Sequence, residues 1–310
     1  MQIHGGLFTT MSALARSPEP VTQGIFSPIR SFALRLRPSR PMSTIVLNPW
    51  RIFSDTWRHR YLLGQLVKRD VLLRYRGAMF GVLWIFLSPL LMLAIFALIF
   101  GQVFQVRWPQ QDSGPPFWLL LYSGLITFNV FAETVSRAPT SVRGHSSFVK
   151  KTISPVHILP LVPLCAGLVH ATFNFLVLLC ALAWVGSLHL QIVLFPPLLL
   201  PVLLLALGFS WFMAAWGVFI KDMTQIVPMF VQMLLFLSPV FYPASAVPGA
   251  LRPLYQFNPL ETVIEATRCV VSAQPVDWSA WLLALVFCLL AFVLGYAFFR
   301  HSREEFADAL

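Results

Sequence analysis

The chain has 310 residues, of which 57% are hydrophobic and 11% charged, and residues 152–220 hold no Asp, Glu, Lys or Arg. An ordinary water-soluble domain carries about 25% charged residues, so that class is excluded. The net charge of +10 is divided among the gaps between apolar runs, which argues against a nucleic-acid partner and for membrane spans oriented by basic flanks.

Residues 1–49 form a basic N-terminal extension. Its first 41 residues are rich in Pro and Ser, contain one acid, Glu19, and lack an apolar core, so they read as disordered. They imitate an organellar transit peptide in composition; a simpler reading starts translation at Met42. Residues 50–79 differ. Ile52, Phe53, Trp57, Tyr61, Leu62, Leu66, Leu72 and Leu73 alternate with Arg51, Arg58, Arg60, Lys68, Arg69, Arg74 and Arg76. That pattern predicts an amphipathic helix on the inner membrane surface, with its cations at lipid phosphates.

Six spans are predicted, at about 80–104, 117–136, 158–185, 195–220, 223–242 and 278–299, followed by a cytosolic tail at 301–310. A membrane-crossing helix needs about 20 apolar residues. Backbone groups in lipid must be satisfied within the segment, so the expected fold is an all-α polytopic membrane protein. An even number of spans puts both termini on one side. With the termini cytosolic, 19 of the 22 Lys and Arg residues lie inside and only Arg107, Arg252 and Arg268 outside.

Two connections stand out. The inner loop 137–157 is short and basic, with Ser146-Ser-Phe-Val-Lys-Lys151 at its centre; a Phe and a Val beside two lysines suit a docking surface. The outer segment 243–277 contains Asn258, a candidate N-cap, and Pro259 at the first helical position. Glu261 near that start suits the helix dipole, and Glu265 and Arg268, three apart, can pair.

Within the spans, Glu133 is the only acid inside an apolar run and is a functional candidate by position. It is read as a structural or gating partner of Arg137 or of the basic interfacial segment, rather than a proton relay. His170 and Asn174 share a helical face and are read as hydrogen-bonding to a neighbouring helix. Phe-Leu-Ser-Pro occurs at 86–89 and again at 236–239; each Pro bends or ends its helix. The four cysteines have no metal-like spacing and imply no disulfide framework. The sequence holds no Gly-x-x-x-x-Gly-Lys-Ser/Thr run, so nucleotide hydrolysis requires a partner.

Taken in order, these landmarks resemble a known family. Arg69-Asp-Val-Leu-Leu-Arg-Tyr-Arg-Gly-Ala-Met-Phe-Gly-Val-Leu-Trp84 with Ser88-Pro89, then Glu133, Ser147-Phe-Val-Lys-Lys151, Pro155 and Pro160, are similar to ABC-2 type polysaccharide export permeases. So are Lys221-Asp222, Phe236-Leu-Ser-Pro-Val-Phe-Tyr-Pro243, Asn258-Pro-Leu with Glu265 and Arg268, and Phe306-Ala-Asp308. The resemblance covers about residues 50–310 and leans toward the O-antigen branch over capsule and teichoic-acid exporters. It implies a homodimer with two ATP-binding-cassette subunits, which hold the ATP and magnesium, and a lipid-linked polysaccharide moved from cytosol to periplasm across the bacterial inner membrane. It implies an ATPase-coupling loop at Arg143, Ser146, Phe148, Val149, Lys150 and Lys151. An interfacial gate helix would include Arg69, Asp70, Arg74, Tyr75 and Arg76. An outer gate helix would include Asn258, Pro259, Glu261, Glu265 and Arg268. This chain itself would carry no cofactor, no metal and no catalytic residue.

Sugar rings present apolar faces and a rim of hydroxyls, so aromatic side chains can stack on them without tight binding. Phe80, Trp84 and Phe86 near the inner end, and Phe241, Tyr242, Tyr255 and Phe257 near the outer end, are the candidates for a glycan path. A polytopic glycosyl- or acyltransferase acting on a lipid-linked glycan is the rival reading, and it needs clustered acids, or His with an acid, at a membrane face.

Overall fold

The computed structural model describes residue 54 and residues 56–103, 114–145, 156–242 and 258–306. Among the described residues there are helices and short links and no strand. Helix α1 is Arg60–Tyr75, and the first span, Gly81–Val103, contains α2, Trp84–Phe96. Then come α3, Phe117–Arg143; α4, Leu161–Val185; α5, Phe195–Leu198; and α6, Leu200–Phe219. Helices α7, Met223–Leu237, α8, Pro259–Val271, and α9, Trp278–Ser302, complete the order. Five segments are long and apolar enough to cross a membrane: Gly81–Val103, Phe117–Arg143, Val156–Val185, Leu190–Phe219 and Trp278–Ser302. Helix α7 is apolar but shorter, at 15 residues.

Local chemistry sets these boundaries. Gly77, at φ +87°, turns the chain between α1 and the first span. Helix α4 ends on Gly186 at φ +73°, and the Ser187 N–H bonds the Leu182 carbonyl, a left-handed terminus that glycine supplies without strain. Helix α7 stops at Leu237 rather than continuing toward Tyr242. Pro239 disfavours helical backbone at the residue before it, and Ser238 is extended. Asp277 caps α9 through hydrogen bonds from the Ser279 and Ala280 N–H groups; the Ser279 hydroxyl, which also donates to it, and then these N–H groups hold its exposed carboxyl below the usual range.

Helix α3 is the centre of the bundle. Of its most apolar stretch 78% is buried, against 22% for the first span. Helices α4, α6, α7 and α8 pack around it. Lipid gives no hydrophobic drive to bring helices together, so close contact depends on small residues at crossings. Gly217 of α6 lies against the backbone of Pro139 in α3, and Gly208 of α6 faces Ala291 and Gly295 of α9. A Cβ on Gly208 would stand 2.5 Å from the Ala291 carbonyl oxygen, so only glycine fits. Side-chain bonds fix the ends of the bundle: Trp211 Nε1 donates to the His157 carbonyl and Trp281 Nε1 to the Leu198 carbonyl.

The outer faces are left apolar. Met229, Phe230, Met233 and Phe236 on α7, and Leu283, Phe287, Leu290 and Leu294 on α9, are exposed, as expected of surfaces that meet lipid or another membrane subunit. Helix α1 turns Leu62, Leu63, Leu66 and Val67 onto the bundle and leaves Leu72 and Leu73 exposed. Of the cysteines, Cys288 is buried and Cys180 exposed.

Gly295→Leu is expected to force α6 and α9 apart and destabilise the fold by about 1–3 kcal/mol or more. The midpoint of thermal unfolding in detergent measures it. An unchanged midpoint would show that the crossing is loose.

Candidate translocation cavity

An open groove of about 770 Å³ runs between the first span, α3, α4 and α7. Its walls mix apolar and aromatic groups, such as Met92, Phe128 and Leu235, with polar ones, such as Ser88, Asn129 and Gln232. Two helix-interior prolines, Pro89 and Pro228, also line it. Each lacks the N–H that would bond the carbonyl four residues earlier, loosening its helix at the wall.

A charged cluster built on Glu133 lines one part of the groove. Arg74 at the end of α1 meets the carboxylate at 2.7 Å. His170 of α4 stands 3.0 Å from it. Arg137, one turn on in α3, lies 3.6 Å away and bonds Asp70 of α1. Tyr75 reaches His170 Nε2 at 3.2 Å. Two carboxylates therefore meet two guanidinium groups, so the partly buried charge is balanced, as a low-dielectric site demands. His170 Nδ1 faces both Arg74, at 2.7 Å, and Glu133. Without a proton that nitrogen accepts from Arg74; with one it donates to Glu133.

One turn outward, the Tyr122 hydroxyl donates to Asn174 Oδ1 at 2.9 Å, and Asn174 Nδ2 donates to the His170 carbonyl. The amide is thus held by protein on both sides and ties α4 to α3.

A second polar anchor lies at the opposite end of α3. Asn258 caps α8 through the Leu260 N–H, and its Nδ2 donates to Ser238 Oγ. Arg268 is almost fully buried. It donates to the Val240 and Leu120 carbonyls and pairs with Glu265 at 3.4 Å. Gly124 makes room for it: a Cβ there would stand 3.2 Å from Arg268 Nη2. The guanidinium so joins α8, α3 and the chain past α7. Burial, and then the Glu265 charge, push the Glu261 carboxyl up to about 7, against the pull of Arg268.

The sequence-selected residues fall in several places. Arg74, Tyr75, Glu133, His170 and Asn174 come together on the groove. Arg69 and Arg76 line a separate basic surface beside Lys68. Phe80, Trp84 and Phe86 lie outside the groove walls; Phe80 packs edge-on to Trp84 and Phe86 to Phe173. Phe241 packs against the core and Phe236, and the Tyr242 hydroxyl donates to the Phe236 carbonyl. Arg143 is in the last turn of α3. Ser146, Phe148, Val149, Lys150, Lys151, Tyr255 and Phe257 lie outside the described residues, as does the extension 1–49. Ser88 was noted only as part of the Phe-Leu-Ser-Pro repeat, and Tyr122, Asn129 and Gln232 were passed over. The available signal was a polar side chain midway through an apolar run, the same signal that had singled out His170 and Asn174.

Two measurements probe these anchors. In a cycle of Arg74→Ala, Glu133→Ala and the pair, each single change lowers stability and the pair loses less than the sum, with a coupling of about 0.5–3 kcal/mol; additive losses would show that the ion pair ties nothing. The Glu261 carboxyl keeps its proton to about 7 when folded, against 4.5 when free. Its contribution is therefore fully present below 4.5 and is lost as pH rises toward 7. Glu261→Gln flattens thermal stability across that window; an unchanged pH slope would contradict the burial of this carboxyl.

The sequence profile of the ABC-2 type transporter family matches residues 61–272. The chain is 26% identical over 266 residues to the O-antigen export system permease protein RfbA of Myxococcus xanthus, covering 84% of this chain and 99% of that protein. It is 21% identical over 258 residues to the protein of the same name from Klebsiella pneumoniae, covering 80% and 95%. It is 25% identical over 245 residues to the polysialic acid transport protein KpsM of Escherichia coli, covering 77% and 92%. With apolar helices long enough to cross a membrane and a groove between them, the chain belongs to the ABC-2 type transporter family.

Proposed function

We propose that this chain is the membrane subunit of an ATP-driven exporter that moves a lipid-linked polysaccharide, of the O-antigen or capsular type, from cytosol to periplasm. The observation that carries this reading is the groove between the first span, α3, α4 and α7. It combines hydrogen-bonding groups with aromatic and apolar walls, and a balanced ion cluster lines one part of it. Such a surface suits a polymer with hydroxyl rims and apolar faces better than an ion or a fatty chain. The names of the relatives point the same way, toward O-antigen and polysialic acid.

In this reading α7 makes the sixth crossing. The basic flanks put both termini on the cytosolic side of the bacterial inner membrane. Two copies face one another across their open grooves, and their exposed apolar faces meet each other and lipid. Energy comes from two separate ATP-binding-cassette subunits, which supply the nucleotide and magnesium. Those subunits dock on the basic turn that follows Arg143. Helix α1 guards the inner mouth through Arg74, and α8 holds the outer end through Arg268. The chain acts as a permease and performs no bond-making chemistry.

Replacing Phe148, Lys150 and Lys151 together by Ala is expected to leave membrane insertion intact and abolish surface polysaccharide while the ATP-binding subunit still hydrolyses ATP. Wild-type export by that variant, measured by surface-polymer immunoblot, would refute the docking role.

A further inference from the structure

Among the described residues, four of the groove's polar side chains have no hydrogen-bond partner, the half-buried Ser136 and three that are more open. Ser88 of α2, Asn129 of α3 and Gln232 of α7 are all exposed, and all line the groove. Other polar groups nearby are engaged: Tyr122 with Asn174, and Glu133 with Arg74 and His170. By contrast the carboxamides of Asn129 and Gln232 bond nothing among the described residues.

Their depth makes this informative. Ser88 lies about two turns above Gly81, where the first span begins, and Gln232 is a similar distance from the inner end of α7 at Met223. Asn129 is about two turns above Arg137. Three different helices thus place a hydrogen-bonding group on one groove, each well inside an apolar helix. An unsatisfied amide in hydrocarbon costs several kcal/mol. These groups therefore face water or a polar ligand, and an amide that both donates and accepts matches a sugar hydroxyl that does the same.

We propose that Ser88, Asn129 and Gln232 form a hydrogen-bonding wall that reads the hydroxyl rim of the passing glycan. This rests on the polysaccharide-export reading and supplies the specificity element that stacking alone lacks. Stacking accepts any ring face, whereas the amides respond to where the hydroxyls sit on the ring.

The test uses the full chain with its ATP-binding subunit in lipid nanodiscs, in a background with Cys165, Cys180, Cys269 and Cys288 changed to Ala. The changes Ser88→Cys, Asn129→Cys and Gln232→Cys are introduced one at a time. Phe287→Cys on the exposed face of α9 is the lipid-facing control. A water-soluble thiol reagent is expected to label the three wall positions at least about tenfold faster than the control, because a thiol in apolar surroundings resists ionisation. Maltoheptaose, the neutral probe, slows labelling at the wall and not at the control. Asn129→Leu and Gln232→Leu keep side-chain volume and favour insertion, and each is expected to lower the rate of surface-polymer appearance about fivefold, the worth of one lost hydrogen bond.

Slow labelling at all three positions would overturn the proposal. So would labelling indifferent to maltoheptaose, unchanged export by the Leu variants, or complete disulfide linkage of two copies through Asn129→Cys, which would place that amide in a subunit contact. Surface polymer made by the unmodified chain is scored separately, so a failed wall and a failed export reading give different results.

Discussion

Moving a carboxylate out of water into a membrane interior costs several kcal/mol unless cations and donors meet it. Glu133 sits in α3, the most buried of the spans, and the inner half of the protein is arranged around that cost. The partners come from outside α3 as well as within it. Arg74 arrives from α1 and His170 from α4, while Arg137 is fixed by Asp70 of α1. One acid therefore holds an interfacial helix and a span against the bundle centre. Arg74 and Asp70 both come from α1, so the two ion pairs tie that helix to α3 at two points.

The opposite end of α3 uses the same logic with reversed sign. Arg268 is a buried cation that takes backbone carbonyls from α3 and from the chain past α7, with Glu265 beside it. Between these two anchors, α3, α6 and α9 are joined through glycine crossings too tight for a Cβ. The first span and α7 form the other side of the groove; like α3 with its Pro139, each carries an interior proline, but among the described residues no such glycine crossing ties them to the block. A rigid block and a looser wall facing it are what a conduit that must pass a bulky chain requires.

Much of this was legible in the residues. The absence of charge over 152–220 and the length of the apolar runs pointed to an all-helical membrane protein, because lipid leaves the backbone no alternative to helix, while α3 runs on to Arg143, past the expected end near 136. The Asn258-Pro259 start and the pairing of Glu265 with Arg268 followed from capping and helical spacing. The end of α7 was overshot by five residues, since the hydrophobic run through Val240 and Phe241 outweighed the Ser238-Pro239 stop signal. The groove was less legible. Aromatic residues drew attention by chemistry, and Phe80, Trp84 and Phe86 are not among the residues that line it. Which face of a span looks inward depends on the neighbouring helix, and one chain's sequence does not encode that directly. Isolated polar residues such as Asn129 and Gln232, which line the groove, carried a signal that was not used.

The account stands on a permease that moves polysaccharide using a partner's ATP. The most direct test is reconstitution of this chain with its ATP-binding subunit in proteoliposomes loaded with lipid-linked polysaccharide on the nucleotide side. ATP should drive the polymer to the opposite face, where a glycosidase can digest it, and leaving out either protein should stop this. Polymer that crosses without ATP, or that stays in place when both proteins and ATP are present, would contradict the account.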